Sequence, residues 1–191
     1  MGNIMLNRTL RALACAIALV LPAATTVQAS SVGAAGVWTS TGSGTAPVNA
    51  TLSFPSVFVL SGDGFFNSFD NLAIADLPLV RFDSDIAGGL TTSFYSIDTS
   101  GGFDGLGWKT YSNEGGQTIT FDLDLDSTWR RTHDSADGDV NWQNDLNSSG
   151  LAEFTGTYTL PGGSTFAGTG SLNASSAGTA FTFQMAQQAA P

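Results

Sequence analysis

Apolar and polar side chains alternate in short runs along most of this chain, the period of two that lets a strand bury one face and wet the other. Val48, Ala50, Leu52 and Phe54 interleave with Asn49, Thr51 and Ser53, and Val57 to Leu60 carries the apolar character up to a turn at Ser61-Gly62-Asp63-Gly64. An apolar segment from Leu72 to Phe82 contains Pro78. Proline cannot donate to a ladder, so this segment is expected at a sheet edge or beside a bulge. Thr91 to Ile97 is β-branched and aromatic, and Gln117 to Asp126 alternates cleanly.

The pattern is clearest in the last third. Ala152, Phe154, Gly156, Tyr158 and Leu160 share one face, and Pro161-Gly162-Gly163 turns the chain. Phe166, Gly168, Gly170 and Leu172 repeat the alternation. Asn173 to Gly178 turns again, and Phe181, Phe183 and Met185 complete the set. Three such runs joined by short turns predict an antiparallel meander. Glycine and β-branched residues run throughout and weaken helices, leaving at most a short helix over Asn141 to Leu151. The expected fold is all-β, an antiparallel two-sheet sandwich or jelly roll of about eight to ten strands. A β-solenoid is the second architecture, although no fixed short repeat supports it.

The first residues do not follow this pattern. Arg8 and Arg11 precede an unbroken apolar run from Ala12 to Leu21, Pro22 ends it, and Val27-Gln28-Ala29 offers a cleavage site before Ser30. This is the three-part layout of a secretory signal peptide over residues 1–29. Ten apolar residues cover only about half of a ~30 Å hydrocarbon core, which argues against a permanent span. Residues 30–191 then form a single β-rich domain, with an extended lead-in over 30–47. The expected location is secreted, extracellular or at the cell surface, with the periplasm as the alternative. No later stretch is apolar enough to span a membrane as a helix.

Removing the leader also changes the charge. Four basic residues remain against sixteen acidic ones, a formal −12. Such a surface repels phosphate backbones and anionic lipid, so nucleic acid is not an expected partner. Cys15, the only cysteine, lies within the leader, so the exported chain has no disulfide and depends on packing or bound ions.

Candidate chemistry is sparse. His133 is the only histidine and sits in a polar, turn-like stretch without a G-x-S-x-G elbow, so a Ser-His-Asp triad is not expected. One histidine cannot build the usual zinc site. The many carboxylates, Glu114 and Glu153 among them, single out no acid–base pair for a glycosidase. In the run Phe121 to Asp126, Asp122, Asp124 and Asp126 share one face, which reads as a solvated, charge-protected surface. Asp137, Asp139, Asn141 and Asn144, around the Gly138 turn, form a candidate calcium loop. His133 and Ser135 stand at the loop's first and third ligand positions, where Asp or Asn is expected, and Asn144 at the twelfth, where Glu or Asp is expected. Trp108, Trp129 and Trp142, in segments with polar neighbours, are candidates for a platform on which sugar rings stack.

The stretches Leu60 to Phe69 and Ala73 to Leu77, then Thr120 to Asp124, and Phe154 to Thr157 through Phe166 to Gly170 and Phe181 to Gln184 occur in an order that resembles the extracellular region of bacterial PEP-CTERM exported proteins. The likeness spans about Val57 to Gln188. The Pro-Glu-Pro motif, apolar helix and basic tail that follow in such proteins are not part of this sequence. The resemblance implies a surface or exopolysaccharide-associated role and carries no catalytic residues. The expectation is therefore a non-enzymatic structural or adhesive protein of the cell surface or biofilm matrix, with extracellular polysaccharide or other matrix proteins as partners. The alternatives are a carbohydrate-binding β-sandwich module and a small secreted hydrolase.

Overall fold

Strand formation follows the alternation and then goes beyond it. The computed structural model describes residues 29–146, 152–177 and 180–189; the leader therefore lies outside the described residues, apart from Ala29. Twelve strands form: β1 Ser30–Ser40, β2 Asn49–Gly62, β3 Asn71–Ile74, β4 Leu77–Ala87, β5 Leu90–Ile97 and β6 Lys109–Ser112, then β7 Thr118–Leu123, β8 Thr128–Asp134, β9 Val140–Asn144, β10 Phe154–Thr159, β11 Thr165–Ala177 and β12 Ala180–Ala189. A 3-10 turn at Gly64–Phe66 is the only helical element among the described residues. The protein is all-β, and no described helix could cross a membrane.

Hydrogen bonding joins all twelve strands, in the order β12-β1-β2-β4-β5-β8-β9-β11-β10-β7-β6-β3, and β11 pairs back to β12. Eight strands thus close a circuit from β12 through β1, β2, β4, β5, β8 and β9 to β11. The remaining four form an arm. The 13-residue β11 makes both possible. One edge follows β12; on the other, Thr165 to Gly170 pair with β10 and Asn173 to Ser175 with β9. The arm β10-β7-β6-β3 ends with β3 beside β2. Every pairing is antiparallel, unlike the parallel rungs of a typical β-solenoid.

Several segments depart from expectation. The lead-in over 30–47 contains β1, which pairs with β12 on one side and β2 on the other. Its small residues obscure the pattern, yet Val32, Ala34 and Trp38 are buried. At Gly36 a Cβ would lie 2.0 Å from the Ser56 carbonyl oxygen and 2.8 Å from Phe183. Close strand approach thus requires the residue that weakens the sequence signal.

Pro78 lies on an interior strand, opposite Thr51 of β2. Its nitrogen faces the place where β4–β5 pairing has run out, Leu79 with Ile97 being the last pair, so no ladder donor is lost. The irregularity comes at Phe82 instead, between the registered residues Arg81 and Asp83. The residues 141–144 of the expected helix belong to β9, and 147–151 lie outside the described residues. The turn expected from Asn173 is strand through Ala177.

The interior is aromatic. Trp38, Trp108, Trp129, Trp142, Tyr95, Tyr111, Tyr158, Phe121 and Phe154 are among its fully buried side chains. Trp108 meets Phe154 edge-on with ring centroids 5.2 Å apart, and Phe121 lies 4.8 Å from Tyr158. Between β1 and β2 the chain passes over this interior with its carbonyls held from below. Arg131 donates to the Gly44 and Thr45 carbonyls, Arg81 to Ala46, and the Tyr95 hydroxyl to Pro47.

Candidate functional site

The polar group that the fold encloses most completely is the amine of Lys109. β6 opens with Lys109, and the strand period turns it inward together with Tyr111. Both are 0% exposed. Lys109 Nζ lies 3.9 Å from the ring centre of Phe154 and 4.2 Å from that of Trp108, with Phe121 at 5.3 Å. It donates a 3.1 Å hydrogen bond to Oε1 of Gln187 on β12, and Tyr111 Oη donates to the same oxygen at 2.7 Å. Gln187 Nε2 has no hydrogen-bond partner. Burial pushes the Lys109 amine well below its ordinary titration range, and no carboxylate among the described residues offsets that. Burial pushes the Tyr111 and Tyr158 hydroxyls up.

The second feature is a surface. No charged side chain lies between Ser30 and Asp63 or after Glu153. Those two stretches, distant in sequence, contain β1, β2, β11 and β12, which the circuit places side by side. Their outward residues form uncharged rows across the four strands. Phe58, Ala35, Gln184 and Asn173 make one row, and Ser61, Gly33, Ala186 and Ser171 the next. Phe58 and Leu60 are 52% and 60% exposed. A trough of about 460 Å³ runs over this face, lined by Leu60, Ser171, Asn173 and Gln184 and by Gln143 and Ala152. A hollow of about 540 Å³, with Phe58, Asn173, Ser175 and Thr182 in its lining, shares Asn173 and Gln184 with it.

The residues expected from sequence lie elsewhere. Trp108, Trp129 and Trp142 are each 0% exposed, so the sugar-stacking platform is not present. Their rings pack the interior, Trp108 against Trp129 at 6.1 Å and Trp142 against Tyr95 at 4.8 Å. The calcium-loop candidates do not converge. Asp137 is exposed and Asp139 half-buried at the β8–β9 turn, where Asp137 Oδ1 accepts from the Asp139 backbone N–H at 3.0 Å. Asn141 and Asn144 lie three apart on β9 and so face opposite ways. Asn144 points inward, and its Oδ1 accepts from the Leu172 N–H at 2.7 Å. Among the described residues no cluster of three or more His, Cys, Asp or Glu is placed to hold a metal.

His133 belongs to strand β8, not to a turn. The carboxylate of the adjacent Asp134 accepts from Ala136 N–H. β7 ends at Leu123, yet Asp124 continues its register opposite Thr155, while Asp126 lies in the turn that follows. Asp122 accepts from Gly107 N–H and Asp124 from the Thr155 hydroxyl. Glu114 shares an open cleft of about 440 Å³ with Asp70, and both carboxylates are exposed.

Sequence reading missed both features. One signal was present for each: Lys109 is the only lysine, two residues before Tyr111, and from Ser30 onward the charges are confined to the stretch Asp63 to Glu153. Fold and sites together define an acidic all-β protein with an amine enclosed by aromatic rings and an uncharged, troughed sheet face. The chain matches no protein-family model, no curated protein and no solved structure.

Proposed function

We propose that this protein is a secreted, non-enzymatic adhesive component of a bacterial extracellular matrix, and that its uncharged sheet face holds neutral polysaccharide. The absence of charge across that face carries the reading, in a chain whose remaining residues are strongly acidic. An anionic polymer would be repelled by the surrounding field. A neutral glycan asks for amides and hydroxyls to pair with its own hydroxyls, and for an apolar ring to lie against. Asn173, Gln184 and Ser171 supply the first, and Phe58 the second. Export fits the start of β1 at Ser30, the first residue after the expected cleavage site.

The test is affinity electrophoresis in gels containing a neutral glucan or galactan, compared with an anionic polysaccharide. Retardation in at least one neutral gel is expected, with little dependence on salt because no ion pair is involved. Phe58→Ala combined with Gln184→Ala should remove it. Migration unchanged in every neutral gel, or retardation abolished by moderate salt, would overturn the proposal.

A further inference from the structure

We infer that Lys109 and Gln187 become joined by an internal amide bond between Nζ and the side-chain carbonyl carbon of Gln187. The two residues are 78 positions apart, on β6 and β12, yet the amine contacts the carboxamide oxygen at 3.1 Å. Each reacting group is in a suitable state. Lys109 is fully buried with no carboxylate among the described residues to offset it, and removal from water favours the free amine over the ammonium. An amine in that form is a nucleophile. The Tyr111 hydroxyl donates at 2.7 Å to the oxygen on which negative charge would develop. Gln187 Nε2, the leaving group, has no hydrogen bond to break.

The reaction needs no partner from outside. The Nζ lone pair attacks the carbonyl carbon, and the carbonyl π electrons move onto Oε1, where Tyr111 supports them. As the carbonyl re-forms, the bond to Nε2 breaks. One proton passes from Nζ to the departing nitrogen, which leaves as ammonia. Nothing is oxidised or reduced, and one amide replaces another. The product removes both a buried amine and an unpaired buried NH₂, each costly to enclose. It also ties β6, on the arm, to β12, in the closed circuit. In a mature chain without cysteine, this link would constrain the unfolded state as a disulfide does.

Intact-mass spectrometry of the purified protein, denatured before measurement, tests this directly. The wild-type chain should be lighter than its sequence by one ammonia, about 17 Da. Proteolysis should yield one branched peptide containing Lys109 and Gln187. Gln187→Met and Lys109→Met should both have full sequence mass. Lysine labelling needs no folded variant for comparison: Lys109 is the only lysine, so denatured wild-type protein should take up acylating reagent at its N-terminus alone. A wild-type chain of full mass that acylates at Lys109 would overturn the inference. So would a mass loss that maps to any other pair of residues.

Discussion

Tyr95 Oη, from β5, donates a 2.8 Å hydrogen bond to the carbonyl of Pro47, 48 residues earlier in the chain. The ring is 0% exposed and packs against Trp142 at 4.8 Å, so one residue ties the β1–β2 connection to the interior. Tyr95→Phe keeps the packing and leaves the Pro47 carbonyl without this donor. We expect a loss of about 1–2 kcal/mol in urea unfolding, with an unchanged slope. Unaltered stability would mean that the carbonyl finds water in the variant.

Gly156 lies where β10 approaches β7. A Cβ there would stand 2.1 Å from the Asp122 carbonyl oxygen and 2.5 Å from Phe121. Backbone on one side and a packed ring on the other leave no room to relax. Gly156→Ala is expected to cost about 3 kcal/mol through overpacking. Gly101→Ala, where nothing lies within 4 Å of the added carbon, should stay within about 0.5 kcal/mol of wild type. Calorimetric melting of the two variants separates crowding from the general effect of replacing glycine.

All three tyrosines of the chain titrate above their ordinary value, with burial as the principal cause in each case. The folded state therefore keeps these hydroxyls protonated at pH values where the unfolded chain would ionise them. Their contribution to stability is full below about pH 10, the unfolded value, and falls as pH rises beyond it. Absorbance of tyrosinate should stay flat through about pH 10 and then appear together with loss of near-UV dichroism. A smooth titration centred on pH ~10 in protein that remains folded would contradict the enclosed placement of these rings.

Calcium and magnesium should raise the melting temperature equally. Both screen the self-repulsion of an acidic chain, and Asn141 and Asn144 face opposite sides of β9 where a calcium loop would need them together. Asp137→Ala should leave the two shifts matched. A larger calcium shift that Asp137→Ala abolishes would establish a specific site at the β8–β9 turn.

The fold was legible wherever each strand has one buried face. β2, β5, β7 and β10 fall within a few residues of the alternating runs, because period-two burial writes itself into local sequence. β1 was not legible, since Gly33, Gly36 and the alanines answer to neighbouring strands and not to local propensity. The tryptophans were misread for a related reason. Polar neighbours in sequence suggested exposure, but alternation sends Thr128 and Arg130 outward while Trp129 between them is fully buried. Burial is a property of the facing layer, which a local window does not contain.

By itself the sequence determined the strand-rich class, a single cysteine at Cys15, and a charge distribution that from Ser30 onward is confined between Asp63 and Glu153. These rest on composition and on period, both local quantities. Only the tertiary structure decided that the two uncharged ends of the chain lie together as one face, through the pairing of β1 with β12. Only it decided that Lys109 meets Gln187 inside an aromatic cage. Both depend on which strands become neighbours across long separations, and that choice is made by the closure of the β12–β11 circuit as a whole, with no single segment encoding it.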